Sequence, residues 1–322
     1  AANAFVNQVY IPDVLAVAGF YQDWFGRGEG LGNFLAYGCY PMKSINDPTS
    51  YFMPRGVILN HDLSKVHPFD PAKVTEYVTH SWYEYEGGDA QALHPSAGET
   101  RPKYTGPTPP YEQLAVEGKY SWLKAPRYND QPMEVGPLAR MLVAYASGNQ
   151  EVQGLVNGVL NHFKAPPKAL FSTLGRIAAR AVETAYMTNH LSKWIDELGN
   201  NLGRGNVKIH NGEKWDPSTW PKNAHGFGSH EAPRGALGHW VEIEDGKIKN
   251  YQAVVPSTWN AGPRDGKGQR GAYEAALLNT PVHDPDRPVE LLRTIHSFDP
   301  CLACAVHVVD ARGRKLVRTG TD

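Results

Sequence analysis

One stretch near the C-terminus organises the sequence: His296-Ser297-Phe298-Asp299-Pro300-Cys301-Leu302-Ala303-Cys304-Ala305-Val306-His307. It holds two of the three cysteines, a carboxylate and two histidines. The C-x-x-C spacing of Cys301 and Cys304 lets both sulfurs reach one metal ion or one redox partner. Pro300 fixes the backbone between the Asp299 carboxylate and the first thiol. The residues alone leave two interpretations open, a metal or redox site and a pair of structural cysteines.

The position of the third cysteine argues against a zinc site built from cysteines alone. A structural zinc ion needs four nitrogen or sulfur ligands, but Cys39 is far away in the sequence and no second C-x-x-C exists. Histidines or another stretch of polypeptide would have to complete a zinc site. Three cysteines in 322 residues also exclude a disulfide framework.

The composition is that of an ordinary globular protein, with 41% hydrophobic residues, 20% charged residues and a net charge of −1. The neutral balance and the lack of a dense Lys/Arg block give no support for nucleic-acid binding. No apolar run approaches the roughly 20 residues that span a bilayer, and no signal peptide is visible at Ala1. We therefore expect contact with a membrane only through a partner.

Helical periodicity and capping signals predict five helices, at residues 3–25, 70–82, 136–145, 151–163 and 172–198. The first is expected to bend at Pro12, and Asp70-Pro71 is expected to open the second. Ser172 is expected to cap the last helix, and glycines from Gly199 onward to end it. The apolar stripe of the last helix predicts a core face. Its Arg176 and Arg180 could brace carboxylates, but solvated or structural roles are expected instead. Short strands are predicted within 33–40 and 56–60, and residues 87–110 are predicted to form an irregular loop.

A β-hairpin is predicted from residues 236–243 and 247–255, because Asp245-Gly246 between them is a strong turn signal. The register that pairs Glu244 with Lys247 places Arg234 opposite Ser257, and a bulge would shift it by one residue. Two segments distant in sequence would then meet at the open end of the hairpin. The alternative is a structural hairpin with an incidental arginine.

Several segments, in the expected order, resemble the large subunit of nickel–iron hydrogenases of the membrane-associated uptake type: residues 124–127, 133–140, 172–176, 231–240, 254–260 and 299–307. The resemblance covers essentially the whole sequence. It implies a mainly α fold with small antiparallel β-sheets (α+β), in which a helical bundle and β-hairpin elements surround the metal site.

The resemblance also implies the chemistry, which is the reversible cleavage of dihydrogen into two protons and two electrons. Cys301 would be a terminal thiolate on nickel, and Cys304 would bridge nickel and an iron that carries cyanide and carbon monoxide. Arg234 and Ser257 would donate hydrogen bonds to cyanide, with Pro233 and Pro256 as apolar walls: the four residues would form a pocket around the iron ligands.

Two groups are candidate proton acceptors in this chemistry, the Cys301 thiolate and the Arg234 guanidine. A guanidinium is normally protonated, so Cys301 is the preferred base and Arg234 the electrostatic positioner. Asp299 is expected to form a buried ion pair with Arg234 and to fix it. The alternative for Asp299 is a helix or turn cap.

The resemblance implies a second metal, a magnesium or iron ion held by His307, by the backbone carbonyl of Ala253 and by a glutamate of the missing N-terminal half. His239 and His296 are expected to be buried histidines with satisfied hydrogen bonds, and a role in proton relay is the alternative. Glu231 is a further carboxylate expected to lie behind the site.

Two departures from the family matter. The family has an N-terminal half with a second C-x-x-C and an acidic residue for proton transfer, and neither is in this sequence. We therefore expect residues 1–307 to be the C-terminal portion of the catalytic domain. Mature family members end at the histidine that matches His307, so residues 308–322 are expected to be a cleavable extension and this form an inactive precursor.

Further partners follow from the same resemblance. They are an iron–sulfur small subunit that receives the electrons, nickel-insertion factors and a maturation protease. The small subunit would hold the mature protein at the periplasmic side of the cell membrane, and the precursor would be cytoplasmic.

Two other classes of protein remain as alternatives. A metal-free relative, such as the corresponding subunit of respiratory complex I, keeps the fold but lacks the thiols at Cys301 and Cys304. The second is a small thiol–disulfide or zinc protein. The C-x-x-C lies near the C-terminus of the sequence and not at a helix start after a strand, which does not fit a thioredoxin-like site. Metal content separates the three: nickel and iron, none, or zinc.

Overall fold

The structure is a computed structural model that describes residues 1–108 and 114–301, together with the backbone of 306–309 and 315–319. Its α-helices are α1 (Ala2–Phe5), α2 (Ile11–Gly19), α3 (Pro137–Ala146), α4 (Gln150–Phe163), α5 (Thr173–Gly203), α6 (Pro256–Ala261), α7 (Ala272–Leu277) and α8 (Val289–His296). Its strands are β1 (Phe34–Ala36), β2 (Cys39–Pro41), β3 (Tyr51–Met53), β4 (Gly56–Ile58), β5 (Val74–Tyr77), β6 (Tyr83–Tyr85), β7 (Thr100–Pro102), β8 (Ala125–Tyr128), β9 (Ala224–Ala232), β10 (Gly235–Glu244), β11 (Lys247–Val254), β12 (Val306–Val309) and β13 (Lys315–Thr319).

The N-terminal helix continues past its proline. A π-helical segment at Val6–Tyr10 joins α1 to α2, which contains Pro12. Proline has no N–H for the preceding turn, and a π turn accommodates that loss within a helix. The predicted helix ends at Gly19, and a 3₁₀ turn at Gln22–Gly26 takes up the rest of the predicted range.

Helices α3, α4 and α5 pack around the larger hydrophobic core, which also includes residues of β1 and β4. Both predicted helices before α5 are confirmed within one residue. The Asn149 side chain caps α4 by accepting from the Val152 amide at 3.1 Å. Ser172 caps α5 as predicted, since its hydroxyl accepts from the Gly175 amide at 2.9 Å.

Helix α5 differs from its prediction at the C-terminal end. It continues through Gly199 to Gly203, for a length of 31 residues. The predicted core face is wrong for most of its length. Ala181 is buried, but Ile177, at the start of the predicted stripe, is exposed, and so are Leu191, Ile195 and Leu198. No residue of α5 beyond Tyr186 is buried, so the apolar stripe is mostly a surface.

The helix predicted from Asp70-Pro71 to Trp82 is wrong. The Asp70 carboxylate does cap, accepting from the Ala72 amide at 3.0 Å, but the turn it caps is a single 3₁₀ turn. The chain then enters β5, which pairs antiparallel with β8. The β-branched and aromatic residues after the cap favour a strand, and pairing with β8 outweighs the helix-start signal.

A three-stranded antiparallel sheet in the order β11-β10-β9 carries the predicted hairpin as its β10–β11 part. Glu244 pairs with Lys247 as predicted, but an irregularity between Glu242 and Ile243 shifts the remaining register by one residue. Strand β11 ends at Val254 before α6 begins, so the expected pairing of Arg234 with Ser257 is wrong. Strand β9 had no counterpart in the sequence prediction.

The turn between β9 and β10 consists of Pro233 and Arg234, since Ala232 pairs directly with Gly235. Gly235 has a φ of 132°, and a β-carbon built there would lie 2.6 Å from the amide nitrogen of Gly136. Gly136 itself has a φ of 123°, and its β-carbon would lie 3.0 Å from the Arg234 carbonyl oxygen. Two glycines thus allow the turn to pack directly against the N-terminus of α3.

The backbone of β12 and β13 forms an antiparallel pair in which His307 faces Arg318. With separate small sheets around a helical core, the described residues form an α+β fold. None of their helices combines the length and apolarity needed to cross a bilayer.

Replacement of Gly235 by alanine should destabilise the fold by about 3 kcal/mol, because it adds a positive-φ strain and a backbone clash. Urea unfolding of the purified chain measures this loss. The control is Gly154→Ala in α4, where a β-carbon meets nothing within 4 Å and about 0.5–1 kcal/mol of added stability is expected. Equal stability of the two variants would contradict the close packing at Gly235.

Candidate metal centre

The structure brings Arg234 and Asp299 together from distant parts of the sequence. The Arg234 Nε donates to the Asp299 carbonyl oxygen at 2.8 Å, and its Nη2 lies 3.5 Å from the Asp299 carboxylate. The two side chains are 40% and 42% exposed, so the pair is not buried as expected. Asp299 has a φ of 57° and donates its amide to the His296 carbonyl. It therefore also closes the last turn of α8.

The thiol of Cys301 is half-buried and lies two residues beyond Asp299. Cys304 lies outside the described residues, and the structure gives only the backbone of His307. Among the residues that are described, no group of three or more His, Cys, Asp or Glu side chains could hold a metal ion. Thiol sulfur is nevertheless the donor that a soft metal such as nickel prefers.

The remaining predicted residues lie at one end of the β9–β10–β11 sheet. Pro233 is exposed in the β9–β10 turn. Pro256 is buried as the first residue of α6, and Ser257 follows it half-buried. Ala253 lies in β11 opposite His239. This end of the sheet therefore joins the predicted cofactor-binding segments.

The two histidines expected to be buried are not. His296 is exposed at the end of α8, and His239 is half-exposed on β10. The His239 Nδ1 lies 2.6 Å from the hydroxyl of Tyr251 on the neighbouring strand. Strand alternation points His239 away from the buried Trp240 beside it, and a single-sequence pattern does not distinguish these faces.

A buried arginine that sequence reasoning missed lies behind the Arg234 turn. Arg140 on α3 makes a two-pronged ion pair with Glu183 of α5, at 2.6 and 2.8 Å. Its Nη1 also donates to Glu231, which the sequence had marked as a carboxylate behind the site, at 2.8 Å. The carboxylates outweigh the effect of burial and raise the pKa of Arg140, so the guanidinium stays charged.

The same guanidinium reaches the backbone of the turn. Arg140 donates to the carbonyl oxygen of Ala232 at 3.0 Å and to that of Pro233 at 2.9 Å. The other Glu231 oxygen accepts from the Tyr37 amide at 2.5 Å. The signal that could have identified Arg140 is its position inside an otherwise apolar helix, where a charge needs a partner.

A second buried arginine supports the segment before Cys301. Arg176 pairs with both oxygens of Glu134 at 2.7 and 2.8 Å and donates to the Gly28 carbonyl at 2.6 Å. The ring of Phe298 lies over its guanidinium at 3.9 Å. One turn along α5, Arg180 donates to the Ser297 carbonyl at 3.3 Å. Arg176 thus braces a carboxylate, which was the less favoured alternative, and Arg180 holds a backbone carbonyl, so neither arginine is simply solvated.

A buried carboxylate fits the implied second metal. Glu76 is buried, and its Oε1 has no hydrogen-bond partner among the described residues. Lys124 bonds its other oxygen at 2.5 Å and the Gln252 side chain at 2.9 Å, one residue before Ala253. Burial raises the pKa of Glu76, and Lys124 opposes that rise. An unpartnered carboxylate oxygen is a donor that magnesium prefers.

Cys39 does not fit a metal site. It is buried on β2, and burial raises the pKa of its thiol to about 12. The thiolate is the form that binds metals, and a thiol this weakly acidic stays protonated near neutral pH. Cys301 is therefore the candidate ligand among the two cysteines that the structure describes.

Comparison with protein families gives one match over most of the chain. The model described as nickel-dependent hydrogenase matches residues 1–307. The uptake hydrogenase large subunit of Rhodobacter capsulatus is 48% identical, over 97% of this chain and 54% of the relative. The Hydrogenase-1 large chain of Escherichia coli K12 is 46% identical, over 97% of this chain and 54% of the relative. The chain thus spans about half the length of these relatives.

Solved structures agree with the sequence relatives. A structure of the [NiFeSe]-hydrogenase of Dm. baculatum matches with a TM-score of 0.73 and 36% identity, over 95% of this chain and 58% of that one. The Ni-Fe-Se hydrogenase of D. vulgaris Hildenborough in its reduced state matches with a TM-score of 0.71 and 36% identity, over 94% of this chain and 58% of that one.

Alkylation distinguishes the two described thiols. At mildly alkaline pH, iodoacetamide should modify the half-buried Cys301 and leave the buried Cys39 unmodified in the native chain. Mass spectrometry of proteolytic peptides reads out each site. Unfolding in urea should make Cys39 react, which serves as the control. Modification of Cys39 at the rate of Cys301 in the folded chain would contradict its assignment as an inert thiol.

Proposed function

Since the chain belongs to the nickel-dependent hydrogenase family, we propose that it supplies the C-terminal cysteine pair of a catalytic large subunit. The reaction is the reversible cleavage of dihydrogen into two protons and two electrons, which pass to an iron–sulfur small subunit. The observation that carries the proposal is the contact of Arg234 with Asp299, two residues before Cys301. It joins two family-like segments that are distant in sequence.

The proposed metal centre is nickel and iron, with cyanide and carbon monoxide on the iron. When bound, this centre polarises dihydrogen for cleavage. Cys301 and Cys304 would hold it as thiolates, and two further thiolates would come from polypeptide other than residues 1–322. Arg234 and Ser257 are the proposed donors to cyanide, and Pro233 and Pro256 the apolar walls. The position of all four at one end of the sheet supports this pocket.

The protein groups divide the proton and charge chemistry between them. Cys301 is the proposed proton acceptor, because a thiolate accepts a proton more readily than a guanidinium that is already protonated. Arg234 keeps its positive charge over the site. Asp299 holds Arg234 through its carbonyl oxygen at 2.8 Å more directly than through its carboxylate at 3.5 Å.

The second metal is proposed to be magnesium or iron, bound by His307 and the Ala253 carbonyl. The unpartnered oxygen of Glu76 and the Lys124–Gln252 contact beside Ala253 support a hydrated cation here. A magnesium ion keeps several waters, and these need acceptors and donors around them.

Maturation and location complete the proposal. Nickel-insertion factors would load the centre, and a protease would then remove residues 308–322. The match of the family model, which ends at His307, supports this boundary. The small subunit would hold the mature protein at the periplasmic face of the membrane, after a cytoplasmic precursor stage.

Replacement of Cys301 by serine in the complete protein should abolish nickel retention and hydrogen oxidation, because a serine hydroxyl is a poor ligand for a soft metal. Metal analysis by mass spectrometry and a hydrogen-dependent dye reduction assay measure the two losses. The matched control is Cys39→Ala, which should keep nickel. If nickel and hydrogen oxidation both survive in Cys301→Ser, the site assignment is wrong.

The intact mass of the protein tests the proposed extension. Protein isolated from nickel-replete cells should end at His307, while protein from nickel-depleted cells should retain residues 308–322. The difference follows if the protease acts only after nickel insertion. A mature protein that keeps Asp322 together with full nickel content would refute the proposed cleavage.

A further inference from the structure

We propose that Arg140 is a positioning residue for hydrogen cleavage, which fixes the place of the Arg234 guanidinium by holding the two carbonyl groups that precede it. This inference rests on the proposed function, in which Arg234 lies over the metals. Arg140 touches neither Arg234 nor Asp299 by a hydrogen bond. It acts through the backbone of Ala232 and Pro233.

The contact between Arg234 and Asp299 does not fix its own geometry. Both side chains are about two-fifths exposed, and the distance between the charged groups is 3.5 Å. Exposed ion pairs of this kind contribute little, because water screens them and long side chains lose entropy in forming them. The orientation of Arg234 therefore depends on the Nε bond to the Asp299 carbonyl oxygen at 2.8 Å and on the backbone that carries Arg234.

The backbone of the Arg234 turn is held by a guanidinium whose donors are all occupied. Arg140 is 4% exposed, and its five N–H groups make five hydrogen bonds: two to Glu183, one to Glu231 and one each to the carbonyls of Ala232 and Pro233. Both carbonyls belong to the residues directly before Arg234. Fixing these two successive carbonyls fixes the two peptide planes that contain them. The direction in which the Arg234 side chain points from the backbone is then fixed as well.

Helix α3 holds the same turn at a second place. Gly136, one turn before Arg140, is close enough to the Arg234 carbonyl that a β-carbon would lie 3.0 Å from it. The Arg140 amide also donates to the Gly136 carbonyl at 3.0 Å. The turn is therefore held on one side by backbone packing and on the other by the Arg140 side chain.

The Asp299 side of the site has a separate support on α5. Arg176 lies under Phe298, and Glu183, seven residues further along the helix, holds Arg140. Seven residues of α-helix span about 10 Å. One rigid helix therefore sets the spacing between the support of Asp299 and the support of Arg234.

Lysine cannot replace Arg140 in this role. Its single ammonium group has three donors at one point, whereas the guanidinium fork reaches two carboxylates and two carbonyls at once. Arg140→Lys keeps the buried charge that Glu183 and Glu231 require. The substitution therefore removes the hydrogen bonds to the turn carbonyls, while the two carboxylates stay neutralised.

The test is Arg140→Lys in the complete protein with its small subunit. We expect nickel content to stay at the wild-type level and kcat for hydrogen oxidation to fall roughly 10- to 100-fold, the usual cost of a small misplacement, with little change in KM. A readout without metal is hydrogen–deuterium exchange of residues 232–236 in the 322-residue chain, which should become faster in the variant.

The matched control is Arg127→Lys. Arg127 is also buried and also holds a carboxylate, Asp265, together with backbone carbonyls of Pro126 and Gln269. This control should lose comparable thermal stability but keep kcat and the exchange rate of residues 232–236. Equal loss of kcat in the two variants would show that Arg140 is merely structural and would overturn the proposal.

Two outcomes need a separate readout: an Arg140→Lys variant that does not fold, and a complete protein without nickel. If Arg140→Lys does not fold, Glu183→Gln, which weakens only one side of the fork, should still raise exchange at residues 232–236, and unchanged exchange overturns the proposal. If the complete wild-type protein holds no nickel, the proposed function fails by itself. The exchange comparison between Arg140→Lys and Arg127→Lys then still shows whether Arg140 holds the turn.

Discussion

Buried guanidinium groups hold the irregular segments of this structure in place. Arg140, Arg176 and Arg127 each neutralise a buried carboxylate and also donate to backbone carbonyls in turns or loops. Such segments lack the regular hydrogen bonds of helices and strands, and their buried carbonyls need donors from elsewhere. The planar fork of arginine supplies several donors in fixed directions. Removing one partner would leave a buried charge unpaired, which costs about 3–5 kcal/mol.

Much of the regular structure follows from local signals. The Ser172 cap, the apolar periodicity of α4 and the Asp245-Gly246 turn each depend on neighbouring residues, and each was predicted. The strand after Asp70 was mistaken for a helix because the cap is local, whereas the pairing with β8 is not. The irregularity at Glu242 and the exposed end of α5 also depend on tertiary contacts, which a single sequence does not contain.

The candidate site divides in the same way. The resemblance pointed to Arg234, Asp299 and Cys301, and the structure brings the first two into contact. It could not show that the pair is half-exposed, nor that Arg140 holds the turn behind it. Arg140 reaches partners that are 43 to 93 positions away in the sequence, and no periodic pattern links them. Cys304 and the side chain of His307 lie outside the described residues, so their predicted roles stay predictions.

The uneven burial of α5 separates the site from fluctuations at the far end of the helix. Its N-terminal end is capped and packed, whereas its C-terminal end carries Gly199, two asparagines and Gly203 and buries no residue. A helix of this kind frays from the weak end, because glycine has a low helix propensity, asparagine a modest one, and packing adds nothing there. Arg176 and Glu183 both lie in the packed part. Opening of the last turns therefore costs little free energy and leaves the supports of the site in register.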